Sequence, residues 1–438
     1  MAEVAGEAER NADPGWPRIL TYGFAHFGKS LFWTVGELLL AFFLTEVAAI
    51  APHRMGLILA AGFVASAGAD LLVGFILRGR ITSPKAAARL QLIGAMVSSA
   101  ALLATFASYW TAAPARADVA LIAGLAFRVS YALYDVPQNA LVSLAAADGR
   151  GRTRLVATRY VFTGLAGLTV AGLTPLLLDG AAGAKALRFC GLTAVFSLIA
   201  IASAAGLDRA LGSGGTVHAP APFRAPRRSG GLALGLLLGV MFIQSLAAPV
   251  FSKIEPYYAA YVLHAPLLGG TVLVGVALGT SLSQPAWTHL CRGLSRQATL
   301  AATAGAVALA AALFLVVKPA GGVAAPACGL VFGAACGGLG MATWAAFGDL
   351  VAEQGRGREA MSFALFTASS KLALALGALW IGAFLSGFDY RGGEERMLVV
   401  VMAAPAVVAG GVIALIAGVW TAAGRRGGAD RAALMRPG

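Results

Sequence analysis

Along this chain apolar positions do not alternate with polar ones. They run together in about twelve segments of membrane-spanning length, at 19–49, 53–77, 85–108, 117–147, 153–179, 185–207, 231–262, 265–290, 297–317, 321–352, 357–386 and 397–422. Polar residues collect in the short gaps and break into only a few of the runs. Where they do, they return at helical spacing. Arg128, Tyr131, Asp135 and Gln138, with Asn139 beside them, share one face of the fourth run, and Pro137 loosens the helix there. His26, Lys29, Ser30, Trp33 and Glu37 form a stripe on the first run, and Ser66 and Asp70 lie four apart on the second. The pattern predicts an all-α integral membrane protein.

A carboxylate held in lipid costs on the order of 3 kcal/mol even on lenient insertion scales, so these stripes are expected to face partners or a wet cavity. Arg159 on the fifth run is the candidate partner for Asp135. Lys371, alone on the eleventh run, needs a counter-charge from another helix, with Glu37, Asp70 and Asp135 as candidates. Two alternatives stay open here: Lys29 snorkels to the interface instead of facing inward, or Asp70 serves a gate with nearby Arg78. On the seventh run the neighbours Lys253 and Glu255 read most simply as neutralising one another.

Composition supports the membrane reading. Of 438 residues 58% are hydrophobic and only 12% charged, about half the charged share of an ordinary soluble domain. A net charge of +13 would point to nucleic acid in a soluble protein. Here the basic residues follow the positive-inside pattern, which argues against a nucleic-acid partner. One set of loops holds Arg78, Arg80, Lys85 and Arg89, then Arg150, Arg152 and Arg154, then Arg209, Arg224, Arg227 and Arg228, then Arg292 and Arg296, then Arg356 and Arg358. The opposite loops are poorer in them, which puts both termini in the cytoplasm. Residues 1–16 lack an apolar stretch, so no cleavable signal peptide is expected.

The chain divides into a cytoplasmic tail (1–18), a first half (19–207), a Gly-, Pro- and Arg-rich linker (208–230), a second half (231–422) and a final cytoplasmic tail (423–438). The halves echo each other. Gly149-Arg-Gly-Arg152 after the fourth run is answered by Gly355-Arg-Gly-Arg358 after the tenth, and Arg78 by Arg292. Two six-helix repeats joined by a basic linker describe the major facilitator architecture, in which the solute site lies near the midplane. Asp349 and Glu353, near the basic turn, are expected with Arg78, Arg152 and Arg358 in gating salt bridges between the halves.

The four cysteines form no CxxC pair, and the chain holds no HExxH, phosphate-binding loop or Ser–His–acid set. Neither an enzyme, a metal site nor a cofactor is expected.

At the polar stripes the chain resembles the glycoside–pentoside–hexuronide:cation symporters. The first run reads Tyr22-Gly-Phe-Ala-His-Phe-Gly-Lys29, like the family's YGFGxFGK motif. The fourth holds YxxxDxP from Tyr131 to Pro137, followed by a basic loop, a matching Arg159 and, on the eleventh run, the lone Lys371. The resemblance implies that Asp135 and Arg159 bind sugar and that Lys371 stands between the sugar and cation sites. With the polar stripes it gives a substrate set of Lys29, Trp33, Glu37, Tyr131, Asp135, Gln138, Asn139, Arg159 and Lys371.

Departures from the family bear on coupling and specificity. Sodium-coupled members carry two acids four apart on the second helix, whereas Ala65-Ser-Ala-Gly-Ala-Asp70 keeps only the second. Family Asn and Thr ligands are matched by Ala69 and Ala132. Too few hard oxygens remain for sodium, so a proton coupled through Asp70, with Ser66, is expected. Ser30 replaces the family's galactoside-binding Asp, with Glu37 two turns on as the substitute carboxylate, which argues against melibiose. The expected protein is therefore a monomeric, proton-coupled symporter of a sugar, glycoside or sugar acid, set among lipid in a bacterial-type inner membrane. The alternative is a carrier of lysophospholipids or other amphipaths from the same superfamily.

Overall fold

In hydrocarbon no water pairs with a bare N–H or C=O, so a spanning segment closes its own hydrogen bonds and becomes a helix. The computed structural model describes residues 16–77, 83–144, 149–211, 231–264, 268, 270–317, 323–354 and 359–434, and these are helical almost throughout. α1 covers Trp16–Leu38, bends by 46°, and continues through Leu40–Phe42 and a π-helical turn, Phe43–Val47. No proline lies at the bend, which falls at Leu39, four residues before the π turn begins. There follow α2 (Pro52–Leu77), α3 (Pro84–Ala107), α4 (Arg116–Leu144), α5 (Gly149–Leu173, with Pro175–Leu178) and α6 (Ala182–Ala210). The rest of the chain forms α7 (Gly231–Tyr257, ending in the π turn Tyr258–Val262), α8 (Thr271–Leu282, with Gln284–Leu290), α9 (Arg296–Val317), α10 (Ala324–Gln354), α11 (Glu359–Gly387) and α12 (Met397–Leu434).

Among the described residues nine helices are long and apolar enough to cross a membrane, and the bent α1 makes a tenth. The shorter apolar helices Val161–Leu173 and Thr271–Leu282 fall where the two remaining spans were expected. Helix ends follow local chemistry. Ser83 accepts the amide of Ala86, and Pro84 supplies the first helical φ, so α3 starts there. The expected linker begins inside α6, which runs to Ala210, and its residues 212–230 lie outside the described set.

The chain clusters into two compact units, Met1–Pro222 with Ala378–Gly387, and Phe223–Gly377 with Phe388–Gly438. Inside the first, α2 packs on α4, α3 on α4, α3 on α6, and α1 on α6. Inside the second, α8 packs on α10, α9 on α10, α9 on α12, and α7 on α12. These are the same four pairings shifted by six helices, so the repeat is one of packing as well as of loops. In the second unit α8 and α10 approach through glycine: a Cβ at Gly279 would stand 2.0 Å from the Leu330 carbonyl oxygen, and one at Gly333 2.1 Å from that of Val276. Trp287 Nε1 then donates to the Ala334 carbonyl at 2.7 Å, and Thr280 Oγ1 to that of Gly333 at 3.0 Å.

Glu255 corrects the expectation for its neighbourhood. Its Oε1 accepts the Gly270 amide at 2.8 Å, at the start of α8, instead of serving only to neutralise Lys253. Gly270 has φ +78°, and the buried carboxylate satisfies an N–H that α8 leaves open. The sequence gives no hint of this because the two residues lie on different helices.

Candidate functional site

The polar stripes of α1 and α4 meet as an antiparallel ladder. Lys29, Trp33 and Glu37 are spaced by one turn on α1, and Arg128, Tyr131 and Asp135 occupy successive turns on α4. Lys29 Nζ lies 2.5 Å from Asp135 Oδ1. One turn on, the rings of Trp33 and Tyr131 lie 5.4 Å apart at 31°. Another turn on, Arg128 Nη2 lies 3.0 Å from Glu37 Oε1. Each cation is therefore placed beside an anion of the facing helix, and an aromatic rung separates the two pairs.

The first rung is anchored further. Asp135 Oδ2 accepts from Asn139 Nδ2 at 3.0 Å, one turn along α4, so both carboxylate oxygens are engaged. The Lys29 side chain is 4% exposed and that of Asp135 23%, so Lys29 faces inward and does not snorkel. Arg159, put forward from the sequence as the partner of Asp135, stands instead in the surrounding field, within electrostatic reach of Tyr22, His26, Lys29 and Tyr131. The bond itself goes to Lys29, whose long side chain crosses from α1 to α4. Asp70 on α2 lies within electrostatic reach of Lys29 and Tyr131, with Ser66 fully buried one turn before it.

Below the ladder a neutral network ties three helices together. Gln138 Oε1 lies 3.2 Å from His26 Nδ1, and Thr163 Oγ1 on α5 lies 2.9 Å from His26 Nε2. With the amide oxygen facing the ring, Nδ1 donates and Nε2 accepts from the threonine hydroxyl. Ser30 Oγ stands 3.5 Å from the same Thr163. Thr163, Phe63, Gly36 and Gly62 had no place in the sequence-derived set. A lone threonine in an apolar run carries no pattern, and the two glycines matter only for what approaches them.

The other expected residues are described within their own units. Lys371 on α11 is half-buried in the second unit, beside Ser370, which donates to Ser245 Oγ at 2.9 Å. Asp349 Oδ2 pairs at 3.2 Å with Arg296 of its own unit, where a bond between halves was expected. Both side chains are exposed enough for that pair to be weak. Arg78 and Arg358 lie outside the described residues, as do the side chains of Arg152 and Glu353. Among the described residues no group of three or more His, Cys, Asp or Glu side chains is placed to hold a metal ion.

Solved structures share the whole architecture. A bacterial homologue of the iron transporter ferroportin matches with a TM-score of 0.67 at 12% identity, over 92% of this chain and 100% of that one. A peptide transporter matches at 0.68 and 14%, over 94% and 97%. A D-xylose–proton symporter matches at 0.61 and 14%, over 90% and 95%. At these identities the likeness establishes the major facilitator fold alone. The sequence itself goes further, because the family profile described as MFS/sugar transport protein matches residues 21–423. The chain belongs to the MFS/sugar transport protein family, the group that its glycoside–pentoside–hexuronide symporter motifs indicate, and is a multi-pass transporter of small solutes and not an enzyme.

Proposed function

We propose that this chain carries a sugar, glycoside or sugar acid by proton symport, through alternating access of its two halves in a bacterial-type inner membrane, with both termini cytoplasmic. The observation that carries the reading is the Lys29–Asp135–Asn139 rung beside the Trp33–Tyr131 pair. A carboxylate and an ammonium offer acceptor and donor to vicinal hydroxyls, and an aromatic face takes the apolar side of a sugar ring. Both Asp135 oxygens are already bonded. Sugar hydroxyls therefore replace Lys29 and Asn139 on Asp135, and the freed ammonium turns to the solute. Arg159 and Lys371 complete the binding set, and the cations leave a place for a substrate carboxylate.

Asp70, with Ser66, takes the coupling proton. Ala69 and Ala132 offer no oxygen where a sodium site needs several. In this reading the charge state of Asp70, which lies within electrostatic reach of Lys29, is coupled to the occupancy of the rung.

One observation favours the amphipath reading. A cavity of about 210 Å³ inside the second unit is walled mainly by apolar side chains such as Ala247, Val307, Leu339 and Ile413, with Gln244 and Ser245 as polar lining. The deciding experiment records external pH in de-energised vesicles as glycosides, pentosides and uronides are added, with and without sodium. Alkalinisation with one sugar, unchanged by sodium, supports proton symport. No response to any sugar, together with lysolipid movement in a parallel flux assay, replaces the sugar reading with the amphipath one.

A further inference from the structure

Arg128 is 3% exposed, and among the described residues neither Nη1 nor Nη2 makes a hydrogen bond, Nη2 meeting Glu37 Oε1 as an ion pair at 3.0 Å. A guanidinium buried with so few acceptors is costly unless other groups compensate it. Here the compensation is the Glu37 carboxylate and three ring faces. The guanidinium carbon lies 4.3 Å from the centre of Phe63, 5.0 Å from that of Trp33 and 5.6 Å from that of Phe127. Glycines open the space. A Cβ at Gly62 would come within 3.3 Å of Arg128 Cγ, and one at Gly36 within 3.3 Å of Phe127 and 4.0 Å of Arg128 Nη2. α1, α2 and α4 are thus built around this one cation.

The consequence falls on Trp33. Its ring is held by Arg128 and by Tyr131, both from α4, and Asp135 lies one turn beyond Tyr131 on the same helix. The tryptophan is therefore fixed relative to the carboxylate rung by two contacts from the helix that carries that carboxylate. Glu37 holds Arg128 from the α1 side, which closes the arrangement.

We propose that Arg128, held by Glu37, is a positioning residue that sets the plane of Trp33 and so determines how tightly the transporter takes a sugar ring. The proposal rests on the sugar-transport reading of the Asp135 rung. A planar guanidinium lies flat against an indole, whereas an ammonium, although charged, does not. Charge alone is therefore insufficient, and Arg128→Lys is the informative change.

The test uses full-length protein in proteoliposomes, with 4-nitrophenyl glycosides of galactose, xylose and glucuronic acid as probes. A version with Trp33 as its only tryptophan is compared in parallel by fluorescence. Arg128→Lys is expected to raise the half-saturating concentration of the transported probe about tenfold, which corresponds to about 1.4 kcal/mol. The maximal rate should stay nearly unchanged, and Trp33 should become more open to acrylamide. The paired change Arg128→Met with Glu37→Gln keeps volume and removes both charges, so it reports even if the lysine variant does not fold. It should shift the same two readings. Wild-type affinity and wild-type acrylamide quenching in either folded variant would overturn the proposal, leaving the pair as a helix fastener. If no probe is transported or quenches Trp33 in the unsubstituted protein, the sugar reading fails instead, and the acrylamide comparison still decides the positioning role.

Discussion

Lys29 reaches across from α1 to place its ammonium 2.5 Å from Asp135, so the deepest carboxylate of α4 is neutralised before any solute arrives. A half-buried pair of this kind costs more to break than it gains on forming, because one partner is left charged in a poor solvent. Lys29→Met is therefore expected to destabilise the protein by about 3 kcal/mol, while Lys29→Met with Asp135→Asn recovers most of that loss. Thermal unfolding in detergent gives the comparison. Transport should stay at background in both, because the rung that takes the hydroxyls is gone. Transport restored in the double variant would show that the pair is only structural.

Asp70→Asn separates binding from coupling. It leaves the Lys29–Asp135–Asn139 rung intact and removes the group assigned to the proton. Accumulation against a gradient should fall to the level set by equilibration, whereas exchange of labelled for unlabelled solute should continue within about threefold of wild type, a change of under 1 kcal/mol. Accumulation that survives Asp70→Asn would move the coupling site elsewhere.

Much of this was legible in the sequence because lipid is a severe solvent. Each apolar run had to be a helix, and a stripe of several polar residues deep within one had to face inward, so the stripes of α1 and α4 could be named from spacing. Their pairing could not. Whether Asp135 meets Arg159 or Lys29 depends on how α1 is rotated against α4, which is set by distributed packing and by close approaches such as that of Gly36 to Phe127. The same holds for Glu255 and Gly270, on different helices, and for Asp349, whose ion pair goes to the start of α9. Sequence spacing orders residues along one helix and is silent about the next.

Glu255 offers a separate test, away from the ladder. The carboxylate meets the Gly270 amide at the head of α8 and is fully buried. Glu255→Gln keeps an acceptor oxygen and should cost less than about 1 kcal/mol, whereas Glu255→Ala strips a buried N–H of its partner and should cost about 1–3 kcal/mol. Unfolding midpoints of the two variants give the ranking. Equal loss in both would mean that charge, not the acceptor, is what α8 requires.

The contact between α8 and α10 makes the sharpest stability prediction. At Gly333 a methyl group would meet the Val276 carbonyl oxygen at 2.1 Å, and that oxygen belongs to backbone that cannot rotate away. The helices would have to part, which loses the packing that holds them and strains the Trp287 and Thr280 bonds to α10. Gly333→Ala is therefore expected to cost about 1–3 kcal/mol, the range for overpacking a tight contact. Gly340, on the same helix, has open space where its Cβ would stand. There alanine should be neutral or slightly stabilising, because it lowers the backbone entropy of the unfolded chain. Helix propensity favours alanine at both positions, so only the close approach of α8 separates them. A lower unfolding midpoint for Gly333→Ala with none for Gly340→Ala locates the cost in the interhelical contact. An equal midpoint for both would mean that α8 and α10 are not held this close in the membrane.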